Sequence, residues 1–408
     1  MDEADDNGGV PVGTTFRQIV SPFSPEEFLG AIWDQRAVHI PGAADKFGHV
    51  FSWHELNRLL NMSKLWSDRS MSIVLDGQSV DLAEYGRAGK TREGYQAIMP
   101  DPDQIMMLLR QGATLVLDLI ETLSPGVAAV SAALQNATGG VAVCNVYCSW
   151  RAHQGFTAHC DSTDVFAIHI EGSKIWRVYE GRADNAIDIA GYDFASFTPE
   201  HHARAKGKLL EEIEMRPGDV LYLPKGQYHE ALASSDASLH LSFGIGQPTG
   251  IDVISRLLRS LPDESLFRKS LPHFDRPQAH REHLRAIADR IHEILGEASL
   301  SDQIRDWQRD RAMSERYGRF DLPFREHEAL FRVRSLGVQV DSTTGVPVLR
   351  VPGGELPLKP GEEGAASWIL ERDYVEASEL EKRFPALGSD GVQNLLDRLE
   401  SCSVLDRI

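Results

Sequence analysis

Between Phe156 and Tyr179 the chain runs FTAHCDSTDVFAIHIEGSKIWRVY, and no other stretch limits the possible folds as strongly. In extended backbone, side chains at i and i+2 emerge on one face. His159 and Asp161 therefore present an imidazole and a carboxylate side by side, while Cys160 between them turns the other way. An apolar run at 165–170, a link Glu171-Gly172-Ser173 and a second run at 174–179 predict a β-hairpin behind that pair. His-x-Asp by itself also occurs in chains that bind no metal, so its weight depends on a third ligand. The segment GDVLYLPKGQYH at 218–229 offers one. Pro224 and Gly226 end its β-run and reverse the chain, which returns His229 toward the mouth of a barrel. A further strand is expected at 239–245. Two imidazoles and one carboxylate leave three positions of an octahedral metal open, the arrangement used by non-haem Fe(II) oxygenases.

The rest of the chain is consistent with an enzyme of two or three domains, since 408 residues exceed the usual size of one core. A net charge of −18, from 42 basic and 60 acidic residues, opposes sequence-independent nucleic-acid binding, in which phosphate neutralisation supplies the affinity. The same charge favours a basic partner, and it equally suits a plain solvated surface. Cys144, Cys148, Cys160 and Cys402 show no CxxC spacing, so neither a zinc ribbon nor a disulfide framework is indicated. The acidic start MDEADDNGG is the opposite of a secretory signal, and no apolar run approaches a membrane span. A cytoplasmic location is expected.

Along the chain, residues 1–13 are expected to be disordered. Ser24-Pro25-Glu26-Glu27 opens a helix predicted to stop near Gln35. Residues 37–40 form a short strand, and Ser52-x-x-Glu55 is a capping box for a helix carrying Leu56, Leu59 and Leu60. A strand is expected at 71–75, a buried strand or strand–helix junction at 114–119, helices at 104–109 and from Ser124-Pro125, and an alternating strand at 141–148. Trp33, Trp53, Leu59 and Leu60 are core residues on this reading. After Gly250 the texture becomes helical, with Leu284, Ile287, Ile291, Ile294 and Leu295 as a stripe that suits either the barrel or a second subunit. From Arg325 short β-runs and two helices end in a terminal strand, as in a winged helix.

Within the barrel, a 2-oxoglutarate co-substrate would need a buried cation for its distal carboxylate. Lys174, at the start of the second run, is the candidate, although a lysine after Glu-Gly-Ser also suits a solvated turn. Asn145 can both donate to and accept from a ligand carboxylate, or be a paired buried amide; Tyr147 shares its face. His169 and His240 fall in strands near the site, as outer groups or satisfied core histidines. His153 roofs the site, and His201-His202 lie in a polar insertion expected to face solvent.

Together, Asn145-x-Tyr147, Gln154-Gly155-Phe156, His159-x-Asp161, Asp164-Val165-Phe166, Glu171-Gly172-x-Lys174-x-Trp176 and Pro224-x-Gly226-x-x-His229 form a recognisable set. The set resembles the JmjC-type ribosomal oxygenases, cupin-fold Fe(II)/2-oxoglutarate hydroxylases of ribosomal proteins. The resemblance covers roughly residues 20–250. It implies an α+β chain: a double-stranded β-helix (cupin/JmjC) barrel at 14–248, a helical dimerisation region at 249–324 and a winged-helix-like domain at 325–408. It also implies His159, Asp161 and His229 as iron ligands, Lys174 as the 2-oxoglutarate anchor, and Asn145 and Tyr147 as pocket lining. A homodimer acting on a basic protein or peptide, with no nucleic acid or membrane partner, is the corresponding expectation. The chain departs from the family in three places: Cys160 where an aromatic is common, His169 where Gln is usual, and Cys148-Ser149-Trp150 after Tyr147. They lie where the pocket wall would be, so they bear on the substrate more than on the reaction. Tailoring of a small peptide or amino acid, a metal-only cupin and a non-catalytic peptide-binding or regulatory module remain as alternatives.

Overall fold

Local capping signals start the helices where the sequence predicts. The computed structural model describes residues 14–150, 154–192, 196–233, 237–314, 330–335, 337–342, 347–351, 354–372 and 374–407; the tail 1–13 and His153 lie outside them. After α1 (Phe16–Val20), the Ser24 hydroxyl accepts from the Glu27 N–H, and the Glu27 carboxylate accepts from the Ser24 N–H. This box opens α2 (Pro25–Ala31). The helix ends short of Gln35, because a left-handed Asp34 (φ 56°) turns the chain so that Trp33 stacks on Phe166 and Tyr222. β1 (Val38–Ile40) and α3 (Trp53–Leu60) follow. Ser52 caps α3, but Glu55 pairs with Arg58 and leaves the box half made. Leu59 is buried, and Trp33, Trp53 and Leu60 pack against the same core.

Next come β2 (Met71–Leu75), β3 (Gln78–Ser79), α4 (Leu82–Tyr85), β4 (Gly86–Lys90), β5 (Gln96–Pro100), α5 (Pro102–Gln111), β6 (Thr114–Leu117) and α6 (Pro125–Thr138). The β4–β5 hairpin had no clear signal in the sequence. The barrel strands are β7 (Val141–Trp150), β8 (Gln154–His159), β9 (Asp164–Glu171), β10 (Lys174–Arg182), β11 (Leu209–Met215), β12 (Val220–Leu223), β13 (Gln227–Ala233) and β14 (Ala237–Gly246). Helix α7 (Pro199–Ala205) interrupts them.

Among the described residues these strands form two antiparallel sheets. One runs β1-β12-β9-β14-β7-β6-β2-β3, the other β11-β10-β13-β8. The expected hairpin of β9 and β10 is therefore corrected. β9 pairs with β12 and β14, β10 with β11 and β13, and the chain crosses between sheets at Gly172 (φ 70°). Two apolar runs around a short link have the same local signature in either case; what separates them is which partners cover their faces. Phe166, Ile168 and Ile170 of β9 face the helical layer, whereas Val165 and Ala167 meet Trp176, Val178 and Leu221 inside the barrel. Eight strands, β7 to β14, divide four and four between two facing sheets, the chain changing sheet at every link except β10 to β11, which is a double-stranded β-helix.

Beyond the barrel lie α8 (Gly250–Ser260), α9 (Ser265–Arg268), α10 (Pro277–Gly296) and α11 (Ala298–Ser314). The stripe on α10 does not pack on the barrel: Leu284 and Leu295 are 56% and 45% exposed, and His283 alone on this helix is buried. α11 does reach back, where Gln135 Nε2 donates to the Ala312 carbonyl at 2.8 Å. The C-terminal strands are β15 (Leu330–Val333), β16 (Gln339–Asp341), β17 (Val348–Val351), β18 (Gly354–Pro357), β19 (Tyr374–Glu376) and β20 (Leu405–Arg407). With α12 (Glu362–Leu370), α13 (Ala377–Arg383) and α14 (Gly388–Ser401) they enclose a separate core around Phe331, Ile369 and Leu395.

Candidate active site

β8 and β13 are neighbours in the four-stranded sheet, and their register sets His229 opposite His159. The two ring centroids are 4.4 Å apart. Asp161 lies just past the end of β8 and turns back toward both. Its Oδ1 is 4.0 Å from His159 Nε2 and its Oδ2 is 3.6 Å from His229 Nε2. The carbonyl of Asp161 accepts from the Gly226 N–H at 2.9 Å, joining its loop to the β12–β13 corner. One ligand atom from each of the three residues falls within 4.8 Å of the others.

Both imidazoles are oriented by backbone. His159 Nδ1 is 2.8 Å from the Thr157 carbonyl and His229 Nδ1 is 3.0 Å from the Gln227 carbonyl. A carbonyl only accepts, so each proton sits on Nδ1 and each Nε2 presents its lone pair to the cluster. Burial, with His159 beside it, pushes His229 down to about 4 despite Asp161, so it is neutral at physiological pH. The Trp176 indole stacks on its ring at 5.7 Å. Two imidazoles and a carboxylate suit a divalent first-row metal such as Fe(II).

Lys174 opens β10 on the opposite side of the barrel from β7 and is 3% exposed. Its Nζ donates to Ser149 Oγ at 3.4 Å, and among the described residues no carboxylate pairs with it. Burial pulls it down to about 8. Around it, Tyr147, His240 and His169 stand opposite one another on β7, β14 and β9. Tyr147 stacks on His240 at 4.9 Å, and His240 on His169 at 6.2 Å. Burial, then Lys174, pushes His169 down to about 4, with the Gly172 and Glu171 backbone offsetting part of this. Nδ1 of His240 and Nε1 of Trp176 are buried without a hydrogen-bond partner among the described residues. The sequence left 169 and 240 open as outer groups of the site or as satisfied core histidines. Buried polar groups without partners, beside an ammonium that no carboxylate among the described residues pairs, suit a small anionic guest, which is the chemistry of a dicarboxylate's far end.

Asn145 and Tyr147 lie on the same inward face. Asn145 is partly committed: its Oδ1 accepts from the Leu119 N–H at 3.4 Å. Burial raises the Tyr147 hydroxyl above its ordinary range. Ser149 and Trp176 were missed, although each continues a two-residue alternation already in use, from Tyr147 and from Lys174. His201 and His202 are corrected. His202 is buried, and its Nδ1 lies 2.7 Å from the Tyr228 hydroxyl, while half-buried His201 stacks on Phe197 at 4.6 Å. Their polar surroundings in sequence carry no sign of this, since the burial comes from the barrel wall.

A double-stranded β-helix with two imidazoles and a carboxylate gathered in one barrel defines a cupin-type protein. Residues 126–253 match the JmjC domain. The chain is similar to ribosomal oxygenase 1 of Rattus norvegicus, 28% identical over 63% of this chain and 42% of that protein. It is also similar to the bifunctional lysine-specific demethylase and histidyl-hydroxylase NO66 of Dictyostelium discoideum, 26% identical over 62% and 48%. The chain thus spans less than half the length of these relatives. Among solved structures, Escherichia coli ycfD is 16% identical and covers 95% of this chain and 98% of its own, with a TM-score of 0.53. The same protein, with a TM-score of 0.50, has been solved as a ribosomal oxygenase with cobalt and 2-oxoglutarate. The chain thus matches the JmjC domain over residues 126–253 and is similar to the ribosomal oxygenases over somewhat more of its length.

Proposed function

We propose that this chain is an Fe(II)- and 2-oxoglutarate-dependent oxygenase that hydroxylates a side chain of a protein or peptide. One observation carries the reading: a two-histidine, one-carboxylate cluster shares its barrel with a buried, uncompensated ammonium. His159, Asp161 and His229 would hold the metal, and Lys174 with Ser149 would receive the distal carboxylate of the co-substrate. Iron and 2-oxoglutarate together supply dioxygen activation and C–H hydroxylation when bound. The residues themselves bind and orient. Thr157 and Gln227 carbonyls hold the ring tautomers, Trp176 braces His229, and Tyr147 and Asn145 line the space between the cluster and Lys174.

Similarity to ribosomal oxygenases supports a protein target, and the net charge of −18 supports a basic one. The exposed apolar residues of α8 and α10 support a helical dimerisation region at 249–324, and the three-stranded sheet with α12–α14 supports a winged-helix-like domain at 325–408. No helix among the described residues is long and apolar enough to cross a membrane. Incubation with basic ribosomal-protein peptides, Fe(II) and 2-oxoglutarate is expected to release succinate and add one oxygen atom to a peptide, read by tandem mass spectrometry. Loss of both signals in His159→Ala is expected. Succinate release that persists in that variant overturns the proposal.

A further inference from the structure

Cys160 sits between two of the three cluster residues and Tyr228 immediately precedes the third, yet neither side chain faces the cluster. They face the opposite side of the sheet and meet there, with Tyr179, in a small buried group that Ala158, Ala183 and Ala205 close off. The Cys160 thiol and the Tyr228 hydroxyl are hydrogen-bonded. The same hydroxyl lies 2.7 Å from Nδ1 of His202 on α7. All three residues are buried: Cys160 is 7%, Tyr228 2% and His202 8% exposed.

The insertion that carries α7 is fastened to this corner by backbone as well. The Ala183 N–H donates to the Gly226 carbonyl at 2.8 Å, and Gln227 Nε2 donates to the Gly181 carbonyl at 3.0 Å. Gly226 itself donates to the Asp161 carbonyl. Every connection ends within three residues of a cluster ligand.

We infer that His202, Tyr228 and Cys160 are positioning residues that lock the two ligand-bearing segments, β8 with its Asp161 loop and the start of β13, from behind through the 183–208 insertion. The inference rests on the metal reading above. A phenol has one proton, so the Tyr228 hydroxyl donates one of its two hydrogen bonds and accepts the other, and deleting it breaks both at once. Groups that orient ligands without touching the ion commonly change metal affinity by about 10–100-fold. The cysteine is part of the device: an aromatic at 160 would fill the space in which the thiol meets Tyr228.

Co(II) titration of the full apo chain, followed by visible absorbance, tests this without catalysis. Tyr228→Phe keeps the ring and its packing and is expected to weaken Co(II) binding about tenfold. His202→Leu is expected to match it. His202→Asn, whose amide can take the place of Nδ1, is expected to recover most of the loss. All titrations are run well below each variant's melting temperature. If Tyr228→Phe and His202→Leu bind Co(II) as the unaltered chain does, while His159→Ala does not bind, the inference is overturned and the metal reading stands. If the unaltered chain binds no Co(II), both fall.

Discussion

Lys174 keeps a positive charge in the barrel with one hydroxyl, Ser149 Oγ, for company. Burial brings its pKa down to about 8, so the group that would receive a carboxylate begins to lose its proton just above physiological pH. The KM for 2-oxoglutarate is accordingly expected to rise several-fold between pH 7.5 and 9. In Lys174→Met it is expected to be high and flat across that range. Fold stability moves in the opposite sense. The unfolded lysine, near 10.4, holds its proton when the folded one has released it, so stability rises with pH between about 8 and 10. Without co-substrate, Lys174→Met is therefore expected to melt above the unaltered chain at pH 7, with the gap closing by pH 9.5. A constant gap in thermal melts would mean that the ammonium is solvated.

At the scale of elements, the β12–β13 corner decides whether the cluster forms. Pro224 and Gly226 were legible as a reversal, and the structure gives the reason glycine stands there. Its φ is +83°, and a Cβ would lie 2.2 Å from the Ala183 carbonyl oxygen. Gly226→Ala therefore has to move backbone that also holds Asp161 and the insertion. Expected costs are about 1–3 kcal/mol in denaturant unfolding and most of the Co(II) affinity. An unchanged affinity would show that the corner does not set the ligand spacing. The β9–β10 crossing makes the complementary case: alternation and a Gly link were correctly read as two strands and a turn, but the strands lie in opposite sheets. Lys174 consequently reaches the interior from the wall facing β7, where Ser149 can meet it.

At the scale of the whole molecule, the helices after the barrel leave apolar surface uncovered. Ile251, Ile254 and Leu258 on α8, with Leu284 and Leu295 on α10, are each more than two-fifths exposed. Exposed apolar residues grouped on two neighbouring helices in this way are what an interaction face requires. We expect the 45.3 kDa chain to run as a dimer in light scattering, and Leu258→Asp with Leu284→Asp to run as a monomer that retains the barrel's Co(II) binding. A monomeric unaltered chain would refute the dimerisation proposal.

Chemistry that depends on residue type and short spacing was open to reading from the chain itself. The i, i+2 pairing of His159 and Asp161, helix caps and the reversal before His229 are all local consequences of backbone stereochemistry. Partners were not. Strand register brings His229 to His159, the sheet crossing turns Lys174 inward, and the barrel wall buries His202 against Tyr228 in what reads as a solvated insertion. These depend on which surface covers which, a property of the closed barrel that a linear pattern carries only in part.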